Sequence, residues 1–174
     1  MNWNCEILRG LPAIGDPPII FSSGRNAHAE GYVIQFNEQA AKSKWVVNFI
    51  PNNFELFGVT QFIDSKVFAV IAGGDLYLVD AEKRELITEV ISGVLRYKKL
   101  KTSMDIILLN TGGIVTCLTP EGPKWKTTEF VPEDILDLQE AEDHLIGKAW
   151  DGYSTEDMQK IKIDLSSGVV ALIE

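Results

Sequence analysis

Histidine and cysteine are nearly missing from this chain: two of each, His28 and His144, Cys5 and Cys117. None of the four has a companion at ligand spacing, so a zinc site is not expected. Two cysteines in apolar, strand-like surroundings make no disulfide framework and read as free thiols of a reducing compartment. No G-x-S-x-G is present, which removes the strained-turn serine nucleophile. No apolar run approaches the roughly 18 residues of a membrane span. The N-terminal stretch MNWNCEILRGLPAIGDPP lacks the basic start and continuous apolar segment of a secretory leader. A cytoplasmic location without membrane contact is therefore expected. Basic residues are also scarce, 16 against 25 acidic, for a net charge of −9. Phosphate binding needs the opposite sign, which argues against nucleic acid. A basic protein partner fits instead.

What the chain does have is a repeat. Gly74, Gly113 and Gly152 are each 39 positions apart. They sit in the similar frames VFAVIAGGDLYLVD (67–80), DIILLNTGGIVTCLT (105–119) and HLIGKAWDGYSTEDM (144–158). A period of this length means an array of one small unit. The local signal is the short strand: FAVIA, LYLV, DIILL and IVTCL are β-branched or apolar runs bounded by turn residues. The spacing predicts one domain over 1–174, with repeat units at about 1–52, 53–92, 93–131 and 132–174. Each unit would supply four strands.

In unit two the expected strands are ELFGVTQFI (55–63), KVFAVI (66–71), DLYLVD (75–80) and ELITEVI (85–91). Unit three has GVLRYKKL (93–100), DIILLN (105–110), IVTCLT (114–119) and WKTTEFV (125–131). Unit four has DILDLQ (134–139), HLIGKAW (144–150), KIKIDL (160–165) and GVVALI (168–173). Unit one is less regular, with NCEILRG (4–10), IIFSS (19–23), GYVIQF (31–36) and KWVVNFI (44–50). The stretch 131–144 also permits a helix opened by Pro132, with a stripe of Ile135, Leu136, Leu138 and Leu145. The repeat register favours a strand there.

The turn before each fourth strand reads VDAEKREL (79–86), LTPEGPKW (118–125) and IDLSSGVV (163–170). This resembles the repeat of the pyrroloquinoline-quinone-type β-propellers, in which a strand-ending Asp, a turn Gly and a Trp recur. Asp80 and Asp164 match the Asp, Gly122 and Gly168 the Gly, and Trp125 the Trp; Trp45 takes the same place in unit one. Thr119, Arg84, Leu86 and Val170 depart from the pattern. The resemblance implies an all-β, propeller-like array of about four antiparallel four-stranded blades. An open half-propeller, completed by dimerisation, and a β-sandwich are the alternatives. Nothing matches the quinone-binding residues, so neither cofactor nor catalytic activity is carried over.

Candidate chemistry is thin. The acids Glu133, Asp134, Asp137, Glu140, Glu142 and Asp143 form the densest charge feature. They read either as a solvated face or as a surface for a basic partner. Trp150 and Tyr153 flank the Asp151-Gly152 turn, and aromatics on a loop rimmed by acids suit protein binding. Arg96, Lys98, Lys99 and Lys101 lie one repeat upstream, either as an anion site or as intramolecular complements of the acids. DGYSTED (151–157) only faintly imitates a calcium loop, and no metal is expected. These features favour a non-catalytic protein-binding module, for which a stoichiometric inhibitor such as a bacterial toxin immunity protein is one class. A small-ligand binder or enzyme using the central pore, and a structural subunit of a larger assembly, are the other readings. A homodimer is compatible with all of them.

Overall fold

The computed structural model describes residues 3–24, 29–40, 42–127, 134–150 and 158–173. The described residues are all-β, with sixteen strands in four four-stranded sheets and no α-helix. None of them forms a helix long and apolar enough to cross a membrane. Each sheet draws its strands from one stretch of the repeat, and the chain forms two compact units, Met1–Gly93 and Val94–Glu174, with two sheets in each.

The first unit holds β1 (Trp3–Ile7), β2 (Ile19–Phe21), β3 (Tyr32–Glu38) and β4 (Ser43–Phe49) in the spatial order β1-β3-β4-β2. Its second sheet runs β5 (Phe57–Gln61), β6 (Val67–Ala72), β7 (Asp75–Asp80) and β8 (Glu85–Leu86) in sequence order. Between the two sheets lie Ile34, Phe36, Val47 and Phe49 from one side and Phe68, Val70, Tyr77 and Val79 from the other. All residues of β6 and β7 are buried. This is why VFAVIA and LYLV read as continuous apolar runs rather than as alternation.

The second unit pairs β9 (Val94–Lys99), β10 (Ile106–Asn110), β11 (Val115–Thr119) and β12 (Gly122–Lys126) with β13 (Asp134–Ala141), β14 (His144–Trp150), β15 (Gln159–Asp164) and β16 (Val170–Leu172). Its core includes Ile107, Leu109, Val115, Cys117 and Trp125 against Ile135, Leu145, Ile161 and Ile163. In β14 and β15 burial alternates, so Lys148, Lys160 and Lys162 fall on the opposite face from Leu145, Ile161 and Ile163.

Three expectations need correction. In the first sheet β2 pairs with β4 in parallel and out of sequence order. Pro17 and Pro18 end the 8–18 connection that carries the chain from one sheet edge to the other; a continuing hairpin there would need the N–H that proline lacks. β8 stops at Leu86, and pairing resumes only at the Leu76–Ile91 bridge. β12 starts three residues before the expected WKTTEFV, because Thr119 and Gly122 close a two-residue turn. Of the later expected residues, 128–131 lie outside the described ones. The 134–141 stretch is a strand, as the repeat register requires, but with one extra residue between Leu136 and Gln139, where Asp137 adopts φ 53°. This bulge puts Ile135 and Leu138 against the same core. A three-residue apolar spacing on one face is also what a helix would show.

The repeating glycines occupy equivalent turns where they are described. Gly73-Gly74 closes the β6–β7 hairpin with φ of 58° and 79°, and Gly112-Gly113 joins β10 to β11 with φ of 73° and 66°. At Gly73-Gly74, the two-residue loop between the paired Ala72 and Asp75, two successive positive φ values are the geometry of the tight primed hairpin turn, whereas the 111–113 connection is one residue longer. Gly152 lies outside the described residues.

Candidate functional site

The Asp turns dock one sheet on its neighbour. Asp80 Oδ1 accepts the N–H of Glu82 and of Lys83, each at 3.0 Å, and the Asp80 carbonyl accepts Arg84 N–H at 2.9 Å. Asp164 repeats this with Ser166 N–H, Ser167 N–H and Gly168 N–H at 3.0, 2.8 and 2.8 Å. The residue after each Asp presents its carbonyl to a tryptophan: Trp45 Nε1 donates to Ala81 O at 3.0 Å and Trp125 Nε1 to Leu165 O at 2.8 Å. Trp45 sits on the third strand of its sheet and Trp125 on the fourth, so the expected equivalence holds for docking but not for strand place. Both indoles are almost completely buried.

The Gly-to-Arg departure has a physical account in the same contact. Gly168, at φ 74°, lies flat against the Trp125 ring, whereas Arg84, at φ 60°, lays its guanidinium 5.9 Å from the centre of the Trp45 ring. A cation over an indole face is favourable, by about 0.5–1 kcal/mol when exposed.

The charged clusters of the second unit meet each other. β9 lies beside β13, and Arg96 reaches both Asp134 carboxylate oxygens at 2.6 and 2.7 Å and the Ile135 carbonyl at 3.1 Å. Lys98 Nζ donates to Leu138 O at 3.2 Å. The Glu140 carboxylate accepts the N–H of Lys101 and of Thr102 and the Thr102 hydroxyl, at 2.7–3.0 Å. Burial pushes the Glu140 carboxyl up, but those donors and the Lys98 charge prevail and hold it below the ordinary value. Asp137 pairs with Lys148 at 3.2 Å. Asp143 pairs with His144, whose hydrogen bond is the leading reason its carboxyl lies below the usual range. Ion pairs this exposed add little to stability, because water and salt screen them. The Arg96, Lys98 and 101–102 contacts hold β9 and the loop after it against β13.

The other expected site residues are more scattered. Glu142 and Asp143 form the tip of the β13–β14 hairpin and are exposed. Trp150 stands at the far end of β14, opposite Asp134 in the ladder, about 20 Å of strand from that tip. Its ring is half-buried, and the indole N–H is buried with no partner among the described residues. Glu133 and Tyr153, like His28 and the 151–157 loop, lie outside the described residues. The acids and aromatics therefore do not form one patch within the described part. Lys99 alternates to the other side of β9 from Arg96 and Lys98, so the four basic residues do not converge either.

Arg96 and Lys98 rim a groove of about 170 Å³ floored by Ile107, Leu109, Ile135 and Leu138. A wider hollow of about 430 Å³ lies between Lys98, Lys101 and Thr102 on one side and Gln139, Glu140 and Glu142 on the other. Among the described residues no group of three or more His, Cys, Asp or Glu is placed to hold a metal ion.

The 101–102 amides could not be found from residue types, because backbone donors carry no residue signature, and the Thr102 hydroxyl stood in no motif. Nor did the sequence mark Asp75 as a polar centre. That carboxylate is fully buried and accepts Ser23 Oγ at 2.6 Å and Asn52 Nδ2 at 2.9 Å.

No protein-family profile matches the chain, and no curated protein does. Among solved structures it is similar to BamB from Moraxella catarrhalis, with TM-score 0.43 and 16% identity over 82% of this chain and 45% of that one. It is also similar to KlHsv2 with loop 6CD replaced by a Gly-Ser linker, with TM-score 0.42 and 14% identity over 76% of this chain and 42% of that one. The chain thus spans less than half the length of either.

Proposed function

We propose that this protein is a non-catalytic protein-binding module that takes a basic partner at the tip of the β13–β14 hairpin. In the finer form of this reading it is an acidic cytosolic stoichiometric inhibitor, of which bacterial toxin immunity proteins are one class. The supporting observation is how the acids divide. Asp134, Asp137 and Glu140 are engaged by Arg96, Lys148 and the 101–102 segment. Among the described residues Glu142 has no ion pair, and Asp143 is 79% exposed beside its own histidine. Carboxylates exposed at a hairpin turn, on a chain of net charge −9, speed the capture of a positively charged surface.

The test is a pull-down from native extract with the intact chain and with a Glu142→Lys, Asp143→Lys double variant. A basic protein retained one-to-one by the first and lost by the second is the expected result. Retention by both, or turnover of a small molecule by the isolated protein, overturns it. The groove under Arg96 and Lys98 favours a second reading, a small anionic ligand. It ranks lower because Asp134 and the Leu138 carbonyl already engage those cations.

A further inference from the structure

One edge strand of each sheet is β2, β8, β12 or β16, and the first three of these carry a device that discourages pairing with another chain. β2 is three residues long behind Pro17 and Pro18. β8 is two residues long and begins with Glu85. β12 contains Pro123, Lys124 and Lys126. Short strands, proline and lysine are the usual guards of an edge. β16, three residues long like β2, carries neither proline nor lysine nor any other charged residue. Its surroundings read Gly168-Val-Val-Ala-Leu-Ile173, with no ionisable group from Ser166 to Ile173. Val169 is 64% and Leu172 58% exposed, while Val170 is half-buried against the core.

The backbone is aimed as well. Asp164 N–H donates to Val169 O at 3.0 Å and Ile173 N–H to Lys160 O at 3.0 Å, with Ala171 opposite Lys162 between them. In an antiparallel ladder alternate residues turn their N–H and C=O to the same side. Residues 169, 171 and 173 thus face β15, and Val170 and Leu172 present their N–H and C=O to the open edge. No described residue from another element bonds to them.

We infer that β16 pairs with β16 of a second copy of this chain, antiparallel, about a two-fold axis at Ala171. That axis sets Val170 opposite Leu172 of the partner and Leu172 opposite the partner's Val170. Each pair exchanges two bonds, so all four outward groups of each strand are satisfied. Ala171 meets its own copy at the closely spaced non-hydrogen-bonded position, where a small side chain fits. A two-fold contact requires a self-complementary surface, and this uncharged strand places no like charges opposite one another despite the net charge of −9. A strand this short forms a weak dimer rather than an obligate one.

Sedimentation equilibrium from micromolar to millimolar protein tests the pairing. The wild type should pass from monomer to dimer, more readily at high salt as the net-charge repulsion is screened. Leu172→Pro removes an N–H that faces away from β15, a place where an edge strand tolerates proline. It should weaken the dimer roughly tenfold or more, with an unchanged far-UV spectrum. In a Cys5→Ser background, Ala171→Cys should cross-link to a covalent dimer on oxidation with diamide, and Leu172→Cys should not. A wild type that stays monomeric, a Leu172→Pro variant that dimerises undiminished, or equal cross-linking at 171 and 172 overturns the proposal. The Glu142→Lys, Asp143→Lys variant should dimerise normally, which separates this surface from the hairpin tip.

Discussion

Gly168→Ala is the sharpest probe of how one sheet docks on the next. The glycine has φ 74°, and a Cβ built on it would stand 2.6 Å from Trp125 Cε3 and 2.8 Å from Cδ2. Two penalties then add. An L residue forced into the left-handed region loses about 1 kcal/mol or more. Pushing a buried ring aside costs about 1–3 kcal/mol of overpacking. The ring cannot move freely, because its Nε1 is anchored to Leu165 O at 2.8 Å, a bond worth about 1 kcal/mol net. A loss of about 2–4 kcal/mol is expected, large against a typical total of about 5–15 kcal/mol.

The matching change in the first unit is Arg84→Gly. It relieves a positive φ of 60° but removes a guanidinium 5.9 Å from the Trp45 ring centre. Those effects oppose each other, so the net should stay within about 1 kcal/mol of zero. Urea titrations followed by indole fluorescence read both variants. A Gly168→Ala midpoint indistinguishable from wild type, or an Arg84→Gly loss as large as that of Gly168→Ala, refutes the reasoning.

The remaining predictions concern one carboxylate and the two thiols. Donation from Ser166 and Ser167 holds the Asp164 carboxyl far below its ordinary value of 3.8. A depressed carboxylate contributes fully above its unfolded pKa and loses that contribution as pH falls below it. Urea midpoints of the wild type should therefore decline below about pH 4, and Asp164→Ala should decline less steeply over the same range. Cys117 is buried, and burial, with the Asp105 carboxylate beside it, pushes its thiol up to about 12 in spite of Lys124. It should resist Ellman's reagent in the native protein and react on unfolding, whereas half-buried Cys5 should react slowly without unfolding; fast labelling of both native thiols contradicts this.

Much of the fold was legible because its period is written in turn chemistry. Gly74 and Gly113 mark hairpins that need positive φ, and the Asp-to-Gly stretches mark turns braced by a carboxylate. Elements departed from expectation where a local substitution changed the geometry. Thr119 has one hydroxyl where Asp80 and Asp164 have a carboxylate, and its turn collapses to two residues. The left-handed Asp137 inserts a bulge that no periodicity analysis distinguishes from a helical stripe. The out-of-order β2 could not be read at all, because strand order depends on which edge a connection reaches.

The charged clusters show the limit more clearly. Runs of like charge attract attention in a sequence as surfaces for someone else. Here one run lies a repeat away from a run of opposite sign, and corresponding strands of neighbouring sheets lie side by side. Arg96 with Asp134, and the 101–102 amides with Glu140, are separated by 38 or 39 positions, one repeat length. In a repeat protein, then, charges one period apart are first of all candidates for each other. Only acids without such a complement are left for a partner. By that criterion the acids left as candidates for a partner, among the described residues, are those of the hairpin tip, where Glu142 makes no ion pair and Asp143 pairs with its neighbouring histidine.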